Sequence, residues 1–274
     1  MPSVFNGLRR PVACSQTLDY DCVFRTPSPD VTMPAASLMV TASAKRSRLA
    51  AIFDAVEKFY GRPKAPSPTD PYQMLLHRNC GYPQSDERCD KGLRALKKEI
   101  GLAPQKILDA PDATLREVMR PSVMKPELTA LRLKEIAARV LDEFRSDMGA
   151  VLKRPLKEAR KALKKFPTVG DSTADKILLF TKTAPAAAIP ANAVECALRL
   201  VGGNVELIRR NWNAAYRSAQ DAVLAGLPNT CSAQLRAFLL LKRHAHEICK
   251  SARPLCEQCP VSSRCAYFQR TRRR

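Results

Sequence analysis

Apolar residues recur at helical spacing along most of the chain. The first sustained run begins at Ser47 and is ended by Gly61. Later runs are separated by proline or glycine breaks, without the alternation and tight turns of β-hairpins, so the pattern predicts an all-α protein. The main predicted helices cover residues 47–60, 71–81, 86–100, 102–110, 114–119, 131–144, 155–166, 174–180, 192–201, 205–225 and 232–249.

Two stretches lack this pattern and divide the chain. Residues 1–44 mix proline, serine, threonine and aspartate without a helical period, which predicts a poorly ordered leader. Residues 62–68 contain three prolines and predict a stiff connector. We therefore expect a second domain to begin near Asp70.

The net charge indicates the kind of partner. The formal charge is +20 over 274 residues, which favours a polyanion, either nucleic acid or an acidic membrane face. No apolar run is long enough to cross a bilayer, and no charged-then-apolar signal segment opens the chain. We expect an intracellular protein, cytoplasmic or associated with the nucleoid, that meets nucleic acid and not a membrane.

Four cysteines near the end of the chain predict a metal centre. They follow the pattern C-x6-C-x2-C-x5-C, in a segment with few apolar residues to order it by packing: Cys249, Cys256, Cys259 and Cys265. Both zinc and a [4Fe-4S] cluster accept four thiolates. Structural zinc sites usually present two close pairs, whereas here only the middle two cysteines are close. We therefore expect an iron–sulfur cluster, with zinc as the minor alternative, and expect the other six cysteines to be plain thiols.

Residues 155–180 predict two helices joined by a tight turn. The first helix is rich in lysine and arginine, the turn is Phe166-Pro-Thr-Val-Gly170, and residues 171–173 offer side chains that can cap the second helix. Backbone N–H groups at a helix start favour a phosphate, and such contacts do not depend on base sequence. The predicted DNA-binding residues are Lys164, Lys165, Pro167, Thr168, Val169, Gly170, Ser172 and Thr173.

This hairpin, followed about eighty residues later by the cysteine pattern, resembles the endonuclease III and adenine-glycosylase group of base-excision DNA glycosylases. The resemblance covers residues 47–274. It implies a helix-hairpin-helix fold with two domains: a six-helix domain at 71–184, and a [4Fe-4S] cluster domain built from 45–70 and 185–274. It also implies binding of double-stranded DNA in the cleft between them, with a damaged or mismatched base flipped out. We expect a monomer.

The chain departs from this group at both catalytic positions. The group's Schiff-base lysine corresponds to Ser172, and its essential aspartate to Pro190. A positioned carboxylate is worth about 3–4 kcal/mol in the transition state, and proline cannot replace it. We considered Lys176 as a substitute amine, if burial lowers its pKa, and four substitute acids: Asp86, Asp171, Asp175 and Glu195.

Two functions therefore remain open. The first is a DNA glycosylase with little or no AP-lyase activity. The second is a catalytically inactive [4Fe-4S] protein that binds damaged DNA or an unusual DNA structure. Retention of the hairpin agrees with both, and the substitution at Pro190 favours the second.

Overall fold

A computed structural model describes residues 35–64, 67–81 and 85–272, with side chains from Arg48 onward. Within these ranges every regular element is helical, which confirms the all-α prediction. None of the described helices is both long enough and apolar enough to span a lipid bilayer.

Fourteen α-helices are described. They are α1 (Ala35–Tyr60), α2 (Pro71–Asn79), α3 (Asp86–Glu99), α4 (Pro104–Asp109), α5 (Asp112–Met119), α6 (Pro126–Phe144), α7 (Met148–Leu152), α8 (Leu156–Leu163), α9 (Asp171–Phe180), α10 (Val194–Val201), α11 (Leu207–Arg210), α12 (Trp212–Gly226), α13 (Cys231–Glu247) and α14 (Ala266–Thr271). Short 3₁₀ turns cover Ala191–Ala193, Cys256–Gln258 and Ser262–Arg264.

The first helix begins earlier than we predicted. We expected a leader over residues 1–44, but α1 starts at Ala35, and residues 1–34 lie outside the described residues. From Ala35 to Tyr60 there is no proline or glycine, and alanine, leucine and methionine are strong helix formers. The lack of an amphipathic pattern over residues 35–44 therefore does not exclude a helix there.

The predicted helix 205–225 is in fact two helices. Asn211 is extended, with φ −155° and ψ 93°, and its side chain accepts a hydrogen bond from Ala214 N at 3.0 Å. This side chain caps α12 and separates it from α11. Trp212 at the start of α12 is exposed, whereas Tyr216 one turn later is buried.

The buried apolar side chains form two clusters. The first extends from Met74 to Ala188 and includes the faces of α2–α9. The second joins α1 to α10, α12, α13 and the segment around Val261. We propose that these clusters are the cores of the two domains expected from the sequence.

Helix α13 connects the two clusters. Its Phe238 belongs to the first cluster and packs edge-on against Phe180, with ring centroids 5.1 Å apart. Leu240 and Leu241 on the same helix belong to the second cluster. Helix α13 therefore lies where the two cores meet, and its Lys242 also pairs with Asp86 on α3.

Candidate functional site

The turn between α8 and α9 is held in place by helix α2. Thr168 has φ +64°, a left-handed conformation that costs an L-residue about 1–2 kcal/mol. Its hydroxyl donates to Oδ1 of the buried Asn79 at 3.3 Å, and Asn79 Nδ2 donates to Leu75 O at 3.0 Å. A glycine would adopt this conformation without strain but would lack this contact.

Helix α9 starts without a capping side chain. We predicted caps from residues 171–173, but the N-cap residue is Gly170. Asp171 pairs with Lys164 at 2.5 Å, and Ser172 Oγ donates to Ile189 O at 2.9 Å, so both side chains are engaged elsewhere. The backbone N–H groups of this first turn can therefore meet a phosphate.

We expect Gly170→Ala to weaken DNA binding without weakening the fold. A Cβ at Gly170 would meet no atom within 4 Å, and its φ of −96° suits alanine. A methyl group at that point would hinder a phosphate that approaches the first turn of α9. Loss of one charge-assisted hydrogen bond predicts about a tenfold or larger rise in Kd, measured by fluorescence anisotropy. An unchanged Kd, or a lowered thermal midpoint, would contradict this interpretation.

The structure brings Ser172 and Pro190 together. The hydrogen bond from Ser172 Oγ to Ile189 O places the start of α9 directly against the peptide that precedes Pro190. Neither side chain carries an amine or a carboxylate. This corner therefore supplies neither a Schiff-base nucleophile nor a charge that stabilises a developing cation.

The four substitute acids are all engaged in ion pairs. The pairs are Asp86–Lys242, Asp171–Lys164 (2.5 Å), Asp175–Arg160 (2.5 Å) and Glu195–Arg199 (2.5 Å). Asp175 is also 1% exposed, which removes it from the cleft surface. None of the four offers an uncommitted carboxylate.

Lys176 meets the condition that we set for a reactive amine. Its pKa is lowered, first by burial and then by the nearby Arg78 guanidinium. Its Nζ lies 5.2 Å from the centroid of the Phe180 ring, on the same helix. Lys176 lies one helical turn after Ser172, the position that corresponds to the group's lysine. The amine of Lys176 therefore extends from a different place on α9.

His77 on α2 and Asp90 on α3 form a pair that the sequence does not indicate. His77 on α2 is 7% exposed, and its Nε2 is 2.8 Å from Asp90 Oδ1 on α3. Because an ionised carboxylate only accepts hydrogen bonds, Nε2 carries the proton and Nδ1 is the basic nitrogen of neutral His77. The pKa of His77 is lowered, mainly by burial and further by Lys176 and Lys242, although Asp90 opposes the shift.

The four cysteines of the C-terminal pattern line one cavity. Its volume is about 20 Å³, and none of the four is in a disulfide. Apolar side chains, Leu200, Ile248 and Phe268 among them, line the same cavity. A set of convergent free thiols in an apolar shell fits a thiolate-bound metal centre.

Arg199 fixes the loop that carries these thiols. This arginine is 5% exposed and donates to the carbonyls of Lys250 and Ser251, each at 2.9 Å. It also lies 3.9 Å from Cys249 Sγ, and its own carbonyl is 3.6 Å from Cys265 Sγ. A helix of the second core thus holds both ends of the cysteine pattern.

Two further side chains that can bind a metal lie close to Cys249, although the sequence predicts no metal role for them. Cys196 on α10 and His244 on α13 are buried, and their donor atoms and Cys249 Sγ lie within 4.8 Å of one another. His244 Nε2 is also 3.6 Å from Cys259 Sγ. Hydrogen bonding from Cys196 is the main cause that lowers the pKa of Cys249 to about 7, and Arg199 adds to it.

Known proteins resemble this chain in sequence. No protein-family model matches the chain. It is 28% identical over 141 residues to a thymine/uracil-DNA glycosylase of Methanothermobacter thermautotrophicus, an alignment that covers 52% of the chain and 58% of that relative. It is 24% identical over 210 residues to endonuclease III of Thermotoga maritima, covering 76% of the chain and 88% of the relative.

A solved structure shares the fold. The non-covalent endonuclease III–DNA complex superposes with a TM-score of 0.65 and 16% identity, covering 84% of the chain and 99% of the solved one. Sequence relatives and fold therefore agree with the resemblance drawn from the hairpin and the cysteine pattern. The chain is therefore similar in sequence to a thymine/uracil-DNA glycosylase and to endonuclease III, and it has the endonuclease III fold.

Proposed function

We propose that this protein is an intracellular, monomeric DNA glycosylase that releases a damaged or mismatched base from double-stranded DNA with little or no AP-lyase activity. The relatives named above support the glycosylase assignment. The proposed lack of AP-lyase activity rests on Ser172, whose side chain contacts the peptide before Pro190. A hydroxyl there occupies the position of the group's lysine. A hydroxyl cannot form a Schiff base.

The proposed chemistry uses water and the His77–Asp90 pair. Water adds to C1′ of the deoxyribose of the flipped nucleotide, the N-glycosidic bond breaks, and its electron pair leaves with the base. Nδ1 of His77 takes the proton that the water loses. Asp90, 2.8 Å from Nε2, holds the imidazole in the required tautomer and stabilises the imidazolium.

We further propose that Cys249, Cys256, Cys259 and Cys265 hold a [4Fe-4S] cluster. The four free thiols on one cavity support it, as does the relative named endonuclease III. Such a cluster, when bound, links four points of an otherwise irregular loop. Arg199 and the apolar walls then fasten that loop to the second core.

The proposed function is tested by incubating the holo-protein with duplexes that contain uracil, T opposite G, oxidised pyrimidines, A opposite 8-oxoguanine, or an abasic site. We expect base release from at least one duplex, above a heat-killed control, and strand breaks only after alkaline treatment. Nicking without alkali would contradict the absence of lyase activity.

A second function is favoured by one specific observation. The position of the group's aspartate is Pro190, and all four nearby acids are paired with basic side chains. This arrangement suits a protein that binds damaged DNA without cleaving it. Tight binding to an abasic duplex with no base release from any substrate would establish that function and exclude the glycosylase.

Borohydride trapping tests Lys176 directly. The pKa of Lys176 is lowered, but Lys176 lies one helical turn away from the position of the group's lysine. We expect no covalent adduct between the wild-type protein and an abasic duplex under borohydride, measured by denaturing gel electrophoresis. An adduct that Lys176→Met removes would assign the Schiff base to Lys176.

A further inference from the structure

A buried histidine lies between a tyrosine of the first helix and one thiol of the cysteine pattern. His244 on α13 is 1% exposed, and it lines the same cavity as Cys259. Its Nε2 is 3.6 Å from Cys259 Sγ, and its Nδ1 is 3.1 Å from the hydroxyl of Tyr60 at the end of α1. Three segments that are distant in the sequence therefore meet at the two nitrogens of one ring.

Hydrogen-bonding chemistry fixes the direction of both contacts when Cys259 serves as a metal ligand. A ligand cysteine is a thiolate, which has no proton and can only accept a hydrogen bond. Nε2 of His244 must therefore carry a proton, and this holds for a neutral and for a charged ring. In the neutral ring Nδ1 is then an acceptor, so the Tyr60 hydroxyl donates to it.

The neighbouring arginine of α13 holds the tyrosine in place. Arg243 donates from Nη1 to the carbonyl of Tyr60 at 2.8 Å. Its guanidinium also lies over the Tyr60 ring, 4.6 Å from the ring centroid. The ring is therefore fixed in the orientation from which its hydroxyl reaches His244.

We propose that Tyr60 and His244 form a hydrogen-bond relay to Cys259 that raises the reduction potential of the cluster. The inference rests on the proposed [4Fe-4S] cluster. Reduction adds one negative charge to a cluster and its thiolates, and a donor aimed at a ligand sulfur stabilises that charge. Tyr60 acts through His244 and is a positioning residue. The relay sets the potential alone and adds no electron-transfer step to base release.

Voltammetry of the holo-protein measures the potential. Tyr60→Phe removes only a hydroxyl, and we expect the potential to fall. His244→Leu removes the donor to sulfur, and we expect a larger fall. Tyr267→Phe is the matched control, because Tyr267 lines the same cavity but meets Arg199 through its ring, 5.1 Å from the ring centroid. The potential of this control should equal that of the wild type.

A double variant separates a relay from two independent effects. If Tyr60 acts through His244, adding Tyr60→Phe to His244→Leu leaves the potential of the single His244→Leu variant unchanged. His244→Gln serves as the conservative variant, because its amide can still donate to Cys259. We expect His244→Gln to recover part of the shift.

Iron content and far-ultraviolet circular dichroism are measured for every variant. If His244→Leu loses its iron, Tyr60→Phe and His244→Gln decide the result. An unchanged potential in Tyr60→Phe would overturn the proposal, as would a further fall in the double variant. Wild-type protein that binds zinc or no metal would overturn the cluster assignment itself. Base release by the wild type is scored independently, so failure of the glycosylase assignment is recognised apart from this result.

Discussion

Replacing Asp175 with alanine is expected to lower the free energy of unfolding by about 3 kcal/mol. This carboxylate is 1% exposed and accepts hydrogen bonds from Arg160 Nε at 2.8 Å, Tyr216 OH at 3.0 Å and Gln220 Nε2 at 2.8 Å. Its removal leaves the buried Tyr216 hydroxyl without its acceptor, whereas Gln220 Nε2 still donates to Ala187 O at 2.9 Å. Because the Arg160 side chain is 37% exposed, the guanidinium regains water, and we take the lower end of the range for broken buried pairs.

Denaturant unfolding followed by circular dichroism measures this loss. Asp142→Ala is the matched control, because Asp142 is exposed and a surface change of this kind is usually within about 0.5 kcal/mol of the wild type. Asp175→Asn should fall between the two, since its amide oxygen still accepts a hydrogen bond. Equal stability of the Asp175→Ala and Asp142→Ala proteins would show that the network contributes nothing.

Replacing His77 with alanine is expected to slow base release by about 100-fold or more, the usual contribution of a positioned general base. Under the proposed function, His77 accepts the proton from the attacking water, and Asp90→Asn should also slow release by removing the charge that supports the imidazolium. Single-turnover assays on the best duplex substrate measure the rate. His246→Ala is the control, since His246 lies on α13 and is exposed.

The pH dependence provides a second readout for His77. Burial lowers the pKa of His77 below the ordinary value of 6.5, so His77 is uncharged at pH 7 and can accept a proton. The rate of base release should therefore be constant near neutrality and fall as acid protonates His77. The same shift contributes stability that is fully present above pH 6.5 and is lost as the pH falls. A wild-type rate that is unchanged on acidification would exclude His77 as the base.

Local sequence patterns predicted most of the helices, because helix formation depends on spacing and on capping residues within one segment. One error arose where a single polar side chain changed the outcome. Asn211 caps α12 and divides a predicted helix, although asparagine also occurs inside helices. The start of α1 was missed because residues 35–44 form a helix without an evident amphipathic pattern.

The site was only partly predictable, for a different reason. The cysteine pattern and the hairpin are local, so their spacing could be read directly. Arg199 and His244 come from distant helices and reach the cavity only after α10 and α13 have packed. The pairing of His77 with Asp90 has no helical spacing, since the two residues lie on different helices.

Three side-chain contacts hold α12 and α13 against helices of the first core, and under the proposed function this limits how the protein can accommodate a duplex. Phe180 packs on Phe238, Asp86 pairs with Lys242, and Asp175 binds Tyr216. All three contacts resist movement of α12 and α13 relative to the first core, and so resist hinge closure around the DNA. The bending needed to expose a nucleotide must then occur in the duplex itself. Flexible pyrimidine–purine steps beside a lesion should therefore be recognised more readily than stiff A-tracts.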